Sequence, residues 1–405
     1  MKKLCIFLIV LAVTASGCSY ANDIDEQAFI IAVGVDKGVK ESLSVTFLFS
    51  TPSPSQGGGE GGGESGGDNK NKDMITIEAP TIFSAARRLN AIKSKKINLT
   101  HTKLIVFSEK LAKEGIKDYV LGLVSSRDFR PTTYICVSKG KTEKYLKSIK
   151  PTQDTFIEKY IDHIMSKTVS DKVGEAYLYY LYFNLLENYS SSMVPLVGVN
   201  DNKLPDDSEK STYITDDLDY SKKAGSIPRK SDNKAEVSGY AIFKNDRMVT
   251  TLGEFSSTLA KLICNEYYDE NFSFYYPHVE NYVTVTIRQK EPPVVKTKIK
   301  KGNAVVKINV PIEIKYVDPH ALNHSDLSSL SFQDFLEKKL NKKAKSLIKK
   351  MQQTYNCDIL GIGDHLKKHF LTVKQWENFK WKNKYNSADI SVSFKITEAD
   401  YEEIY

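Results

Sequence analysis

Cys18 is the residue whose type and setting point most directly to chemistry. Lys2 and Lys3 precede an apolar run from Leu4 to Ala15, broken only by Thr14, and Ser16 and Gly17 then lead into the cysteine. A positive start, an apolar stretch and a small-residue cleavage site make a secretory signal. Small residues before a cysteine are also what lipoprotein processing requires. The thiol is alkylated with diacylglycerol and the bond before it is then cut. On this reading residues 1–17 leave and the mature chain begins at lipidated Cys18. Two acyl chains hold a protein on a bilayer stably where one is marginal. The apolar run, about 12 residues, is too short to serve as a membrane span of ~20.

The other candidates for chemistry lack a full pattern. His365 and His369 are four apart, so both could face one metal, but Leu366 stands where a zinc peptidase helix needs Glu. His320 and His324 share the spacing in a loop-like stretch. Gly140-Lys141-Thr142 resembles the end of a phosphate-binding loop, yet Ile135 occupies the position of its first Gly. Gly361-Ile362-Gly363 lacks the third Gly of a dinucleotide fingerprint. Cys136, Cys264 and Cys357 are odd in number and widely spaced, which fits buried free thiols rather than a disulfide or zinc framework. No catalytic, cofactor-binding or metal residue is assigned.

The elements that would position these residues follow from periodicity. The formal charge of the 405-residue chain is +7, or +5 once Lys2 and Lys3 leave with the signal. That excess is too small and dispersed to argue for nucleic acid. AFIIAVGVDKG (28–38) reads as a buried strand, and 41–49 as a strand with Leu43, Val45, Phe47 and Phe49 on one face. The Gly-rich segment 51–73 is expected to be a flexible loop. A helix over 81–96 would turn Phe83, Ala86, Leu89 and Ile92 inward. A strand over 102–108 ends at Ser108, which caps a helix that Gly115 stops. Two helices, 152–167 and 173–189, come next, the second holding AYLYYLYFNLL (176–186), read as core with a docking surface for a membrane partner as the alternative. The polar segment 200–235 reads as disordered. A hairpin over 237–252 turns at Asn245-Asp246, and a second over 296–317 turns at Gly302-Asn303. The long amphipathic helix 331–356 carries a lysine-rich face, read as solvated, with contact to anionic lipid as the alternative. A helical stretch near 363–379 and a strand over 388–396 close the chain. The class is α/β to α+β. After the signal peptide, three unlike domains are expected over 18–150, 151–272 and 273–405, each a mixed or antiparallel sheet with flanking helices.

Four segments in order carry a resemblance. They are AFIIAVGVDKG (28–38), the run from SAARRLN to LTHTKLIVFSEKLAKEGI (84–116), SGYAIFKNDRMV (238–249), and CDILGIGDHLKKHF (357–370) with Trp376. Behind a lipoprotein cysteine, they are similar to the Ger(x)C family, the lipoprotein C subunits of spore germinant receptors. Ser19-Tyr20-Ala21-Asn22-Asp23 replaces the family's usual Trp-Asp-Arg-Arg-Glu after the cysteine. The resemblance implies a non-catalytic protein with a lipidated Cys18, held by its diacylglycerol on the outer face of the inner spore membrane. It also implies assembly with A-type and B-type integral membrane subunits. A solute-binding lipoprotein of a transporter is the alternative, and an extracytoplasmic hydrolase using His365 and His369 is a third reading.

Overall fold

The computed structural model describes residues 26–50, 73–151, 156–168, 176–187, 191–201, 222–266, 269–318 and 330–401. Cys18 and the signal segment, residues 51–72 of the Gly-rich segment, residues 202–221, and His320 and His324 lie outside them.

Among the described residues nine strands build the first sheet: β1 (Gln27–Lys37), β2 (Leu43–Phe49), β3 (Met74–Ala79), β4 (Lys96–Asn98), β5 (Leu104–Ser108), β6 (Tyr134–Ser138), β7 (Met193–Val199), β8 (Ala235–Lys244) and β9 (Arg247–Leu252). Their order is β3-β2-β1-β5-β6-β7-β8-β9, with β4 beside β1. The centre, β1-β5-β6-β7, is parallel, and antiparallel hairpins extend it on both sides. Parallel strands are covered on both faces, which is why FIIAVGV, LIVF and YICV are continuous apolar runs without alternation.

Helices α1 (Ile82–Leu89), α2 (Glu109–Glu114), α3 (Lys117–Ser125), α4 (Thr142–Ser148), α5 (Ile157–Thr168) and α6 (Leu178–Leu186) cover that sheet. α1, α2, α3 and α6 close one core over Val33, Val35, Phe47 and Phe107, while α4 and α5 close another over Ile31, Ala32, Val106 and Cys136. Ser108 accepts from the Leu111 N–H and Gly115 ends α2 at φ 126, as the sequence indicates. α1 is shorter than the expected 81–96 and turns Ile82, Ala85, Ala86 and Leu89 inward, leaving Ile92 61 % exposed.

The second sheet comprises β10 (Glu270–Tyr276), β11 (Asn281–Arg288), β12 (Val294–Lys300), β13 (Asn303–Asp318) and β14 (Asp389–Tyr401). β12 and β11 pair with successive stretches of the long β13, and β14 runs parallel to it. Val306, Ile308, Val310, Ile312 and Ile314 all face the core, as their alternation requires. α7 (Glu254–Cys264) and α8 (Leu330–Lys350) cover that face, α8 running on through a π-helical turn, Met351–Tyr355. Lys300 lies opposite Asn303, so the turn is Lys301-Gly302, both at positive φ, one residue before the expected position. The stretch expected near 363–379 is divided into α9 (Ile362–Lys367) and α10 (Val373–Phe379), followed by the short α11 (Trp381–Lys384).

The expectation of three domains with a sheet each is corrected at the middle block. β7 pairs with β6 through Val137–Leu196 and Ser138–Val197, so β7, β8 and β9 of the middle block share one sheet with the strands of 18–150. The run MVPLVGV is apolar on both faces and is buried by entering an existing sheet rather than by founding a small one. The segment 200–235 is also corrected in its later part. Ala224 is fully buried, and the Glu236 carboxylate accepts from the backbone N–H groups of Gly225, Ser226 and Ile227 at 3.0–3.3 Å.

Candidate functional site

The first three segments singled out in the sequence meet in series, and the third reaches residues that flank the fourth. Gly34 and Asp36 of β1 both serve Thr142, the first residue of α4. The Asp36 carboxylate accepts the Thr142 N–H at 3.1 Å and its hydroxyl at 2.5 Å. A Cβ at Gly34 would stand 2.3 Å from Thr142 Oγ1, so only glycine fits there. Lys37 reaches Glu114 of α2 at 2.7 Å. At the far end of α2, the Ile116 N–H donates to the Asp246 carbonyl in the β8–β9 turn at 3.0 Å. From the same turn, Asn245 Oδ1 accepts from Lys382 at 2.6 Å, and Lys244 donates to the Tyr355 carbonyl at 3.2 Å.

The β8–β9 hairpin therefore joins the two sheets. Its Ala241, Phe243 and Met248 belong to the first core, and its Tyr240, Ile242 and Leu252 belong to the core of the second sheet. A fully buried Leu, Ile, Phe or Met side chain contributes about 1.5–3 kcal/mol, so the large side chains on both sides make a firm joint rather than a hinge.

Next to this joint lies Asp358, fully buried and held by four donors from three elements. Its Oδ2 accepts from Trp381 Nε1 at 2.8 Å and from the Gly363 N–H at 2.9 Å; its Oδ1 accepts from the Ile362 N–H at 3.1 Å. Its carbonyl accepts from the Ser191 N–H at 3.0 Å, which ties it to the chain entering β7. Gly361, at φ 62, caps α9 without a side chain, and the Asp358 carboxylate serves the first N–H groups of that helix in its place. Burial pushes the Asp358 carboxyl up to about 6, against the pull of these donors.

Asp358 also forms one wall of a cleft of about 500 Å³ between the two sheets. Tyr180 and Asn184 of α6, Asn265 and Glu266 after α7, Pro292 and Pro293 before β12, and Asp364 and His365 of α9 line it. Burial pushes Glu266 up to about 7, and its Oε2 has no hydrogen-bond partner among the described residues. Burial, then Lys368, push the His365 imidazole below its ordinary value. The cleft thus presents acids and amides on walls from both halves, the setting of a binding recess at a junction.

The sequence-selected residues are placed as follows. α9 ends at Lys367, so His369 lies beyond the helix that carries His365, and its Nε2 contacts Thr297 Oγ1 at 2.8 Å. Among the described residues no group of three or more His, Cys, Asp or Glu side chains is placed to hold a metal. Cys136 and Cys357 are buried thiols and Cys264 is partly buried. Leu178 and Leu181 of α6 are buried, while Phe183 and Leu186 stay 54 % and 50 % exposed, so only one stripe of that apolar segment is core. Among the described residues no helix is long and apolar enough to cross a membrane. Sequence reasoning missed Asp358 and Glu266 as buried acids; the flanking Cys357-Asp358-Ile359-Leu360 run, a lone acid inside an apolar stretch, was the available signal for the first.

Comparison with known proteins decides the family. Residues 20–199 match the model described as the spore germination protein N-terminal domain, and residues 238–398 match the spore germination B3/GerAC-like C-terminal model. The chain belongs to the GerAC-like, or Ger(x)C, family of spore germination proteins. It is 23 % identical to spore germination protein KC of Bacillus subtilis (strain 168), over 94 % of this chain and 91 % of that one. It is 20 % identical to spore germination protein GerQC of Bacillus cereus, over 98 % of this chain and 99 % of that one. The crystal structure of the GerBC protein shares the fold, with a TM-score of 0.51 at 18 % identity, covering 90 % of this chain and 96 % of that one. The Ger(x)C family models meet the chain on both sides of residues 200–237, and the β8–β9 joint falls at the start of the second.

Proposed function

We propose that this chain is the C-type subunit of a spore germinant receptor, anchored to the membrane and non-catalytic. Diacylglycerol on Cys18 holds it on the outer face of the inner spore membrane. Its folded body there meets A-type and B-type integral membrane subunits. Tethering confines it to the membrane plane, so modest interfaces suffice at the resulting effective concentration.

The observation that carries this reading is the pair of family matches over 20–199 and 238–398. The fold supports it in one further respect. A solute-binding lipoprotein is expected to have two similar doubly wound lobes, whereas the two sheets here differ in strand number, direction and order. The buried acid Asp358 is engaged in holding α9 and Trp381, a structural role, and not poised on an open surface.

The test is Cys18→Ala in spores. Loss of the protein from salt-washed membranes, on which contacts held by charge alone do not survive, together with a weakened response to nutrients is the expected result. Full retention on salt-washed membranes and normal germination would sink the anchored-subunit reading. Co-purification with the A- and B-type subunits from detergent extracts tests the assembly separately.

A further inference from the structure

The long helix α8 has an inner face that explains itself and an outer face that does not. Phe332, Leu336, Leu340, Ala344, Leu347 and Ile348 are buried against the second sheet. On the opposite side, Lys338, Lys342, Lys345 and Lys349 are exposed. Their spacing of four, three and four residues places them in one line along the helix, about 16 Å from end to end. None of the four has a hydrogen bond or an ion pair among the described residues. Lys339, on the inner side, instead lies over the rings of Phe274 and Phe335.

A solvated helix face usually alternates its charges, because lysines three or four apart repel one another. Here no acidic residue occurs between Glu337 and Asp358, and Glu337 itself is engaged with the Ile396 N–H. The helix dipole accounts for cations in the last turn, Lys349 and Lys350, but not for Lys338 and Lys342. The excess is local. Residues 273–405 hold 22 Lys and Arg against 15 Asp and Glu, while residues 18–272 hold 33 against 35.

We propose that this lysine row is a docking surface for an anionic lipid bilayer, whose headgroups supply the missing negative charge. The chemistry favours lipid over an acidic protein. Protein interfaces depend on desolvated anchors, above all Trp, Tyr and Arg. The row has none, and its only cation is lysine, a mobile point charge suited to a fluid layer of headgroups. The apolar side of α8 is occupied by the core, so the helix rests on the surface through charge and does not insert. This contact orients the second sheet toward the membrane and does not depend on an acyl group at Cys18.

The experiment uses residues 18–405 with Cys18→Ser, so that no lipid anchor contributes; the cores draw on residues 28–399 and are retained. Binding is measured by sedimentation with vesicles of phosphatidylcholine alone and with one-quarter phosphatidylglycerol. The parent is expected to bind only the anionic vesicles and to be released by ~0.5 M salt. Changing Lys338, Lys342, Lys345 and Lys349 to Gln is expected to weaken binding by about fivefold per lysine, a hundredfold or more together. The same four changed to Arg should retain it. Gln at Lys296, Lys298, Lys300 and Lys307, exposed on the outer face of the second sheet, alters net charge equally and should leave most of the binding. Absence of binding by the parent, equal binding to neutral vesicles, or equal losses in the two Gln variants would each overturn the proposal. The first of these outcomes would turn attention to an acidic protein partner. Unchanged thermal unfolding of the Gln variant, whose residues are good helix formers, separates lost binding from lost folding.

Discussion

The indole N–H of Trp381 donates to Asp358 Oδ2 at 2.8 Å where both residues are buried. This contact fixes α11 against the turn that starts α9, beside the joint between the sheets. Burial raises the Asp358 carboxyl to about 6 from an ordinary 3.8, so near neutral pH the acceptor is mostly ionised and the bond is charge-assisted.

Trp381→Phe keeps an aromatic ring but removes the donor and some packed volume, a loss that does not depend on pH. Loss of the hydrogen bond is expected to cost about 1.5–3 kcal/mol at pH 7.5, the range for a bond to a charged group, in addition to the packing loss. The cost should shrink at pH 5, where the folded state binds the proton and the bond becomes neutral. Urea unfolding at both pH values measures it. An equal cost at the two would mean that packing, not the carboxylate, is what Trp381 provides.

Glu266 gives a second pH signature. Its folded-state value, about 7, lies above the ordinary 4.5. A raised carboxyl contributes stability that is fully present below about 4.5 and is lost as pH rises toward 7, because the unfolded chain gives up its proton first. The loss is on the order of 3 kcal/mol. Glu266→Gln stays neutral throughout, so it should be the more stable protein at pH 8 and lose its advantage at pH 4.5. Thermal unfolding across that range checks this, and parallel curves for the two proteins would refute the buried orphan oxygen.

Much of this was legible in advance, for reasons that differ by element. The alternation of Val306 to Ile314 dictates a one-faced strand, and Ser108 and Gly115 dictate the limits of α2. What was not legible depends on distant pairing. Nothing local in MVPLVGV says that it joins Tyr134–Ser138 rather than strands of its own block. Ile92 matches the period of α1 but lies beyond Asn90, where the helix has already stopped. By composition Gly302-Asn303 is the better turn; register across Lys300–Asn303 selects Lys301-Gly302 instead and places Lys301 at positive φ. The cleft was invisible because Glu266, Asp358 and His365 are brought beside Tyr180 only by the meeting of the two sheets.

Gly34→Ala tests the approach of β1 to α4. The added Cβ would meet Thr142 Oγ1 at 2.3 Å and its Cβ at 2.8 Å, both in a buried residue that Asp36 holds in place. A cost of about 2–3 kcal/mol is expected from overpacking. Thr142→Ala in the same chain removes only the hydroxyl clash, so part of that cost should be recovered relative to the two single changes. A double-mutant cycle reads the coupling directly. Strict additivity would show that the two residues do not press on each other.

Glu236 should control the ordering of the segment before β8. Its buried carboxylate gathers the N–H groups of Gly225, Ser226 and Ile227, and Arg229 stands 3.9 Å away. Glu236→Ala strands three backbone donors at once. Water can reach them only if the segment leaves the sheet, so the change favours local opening over global unfolding, at about 2–4 kcal/mol. The readout follows from the residues released: trypsin should cut after Lys223, Arg229 or Lys230 much faster in the variant, while the protein's two sheets remain protected. Glu236→Gln retains one acceptor oxygen and should cut at an intermediate rate. If the Ala variant is cleaved there no faster than the parent, the carboxylate is not what holds this segment down.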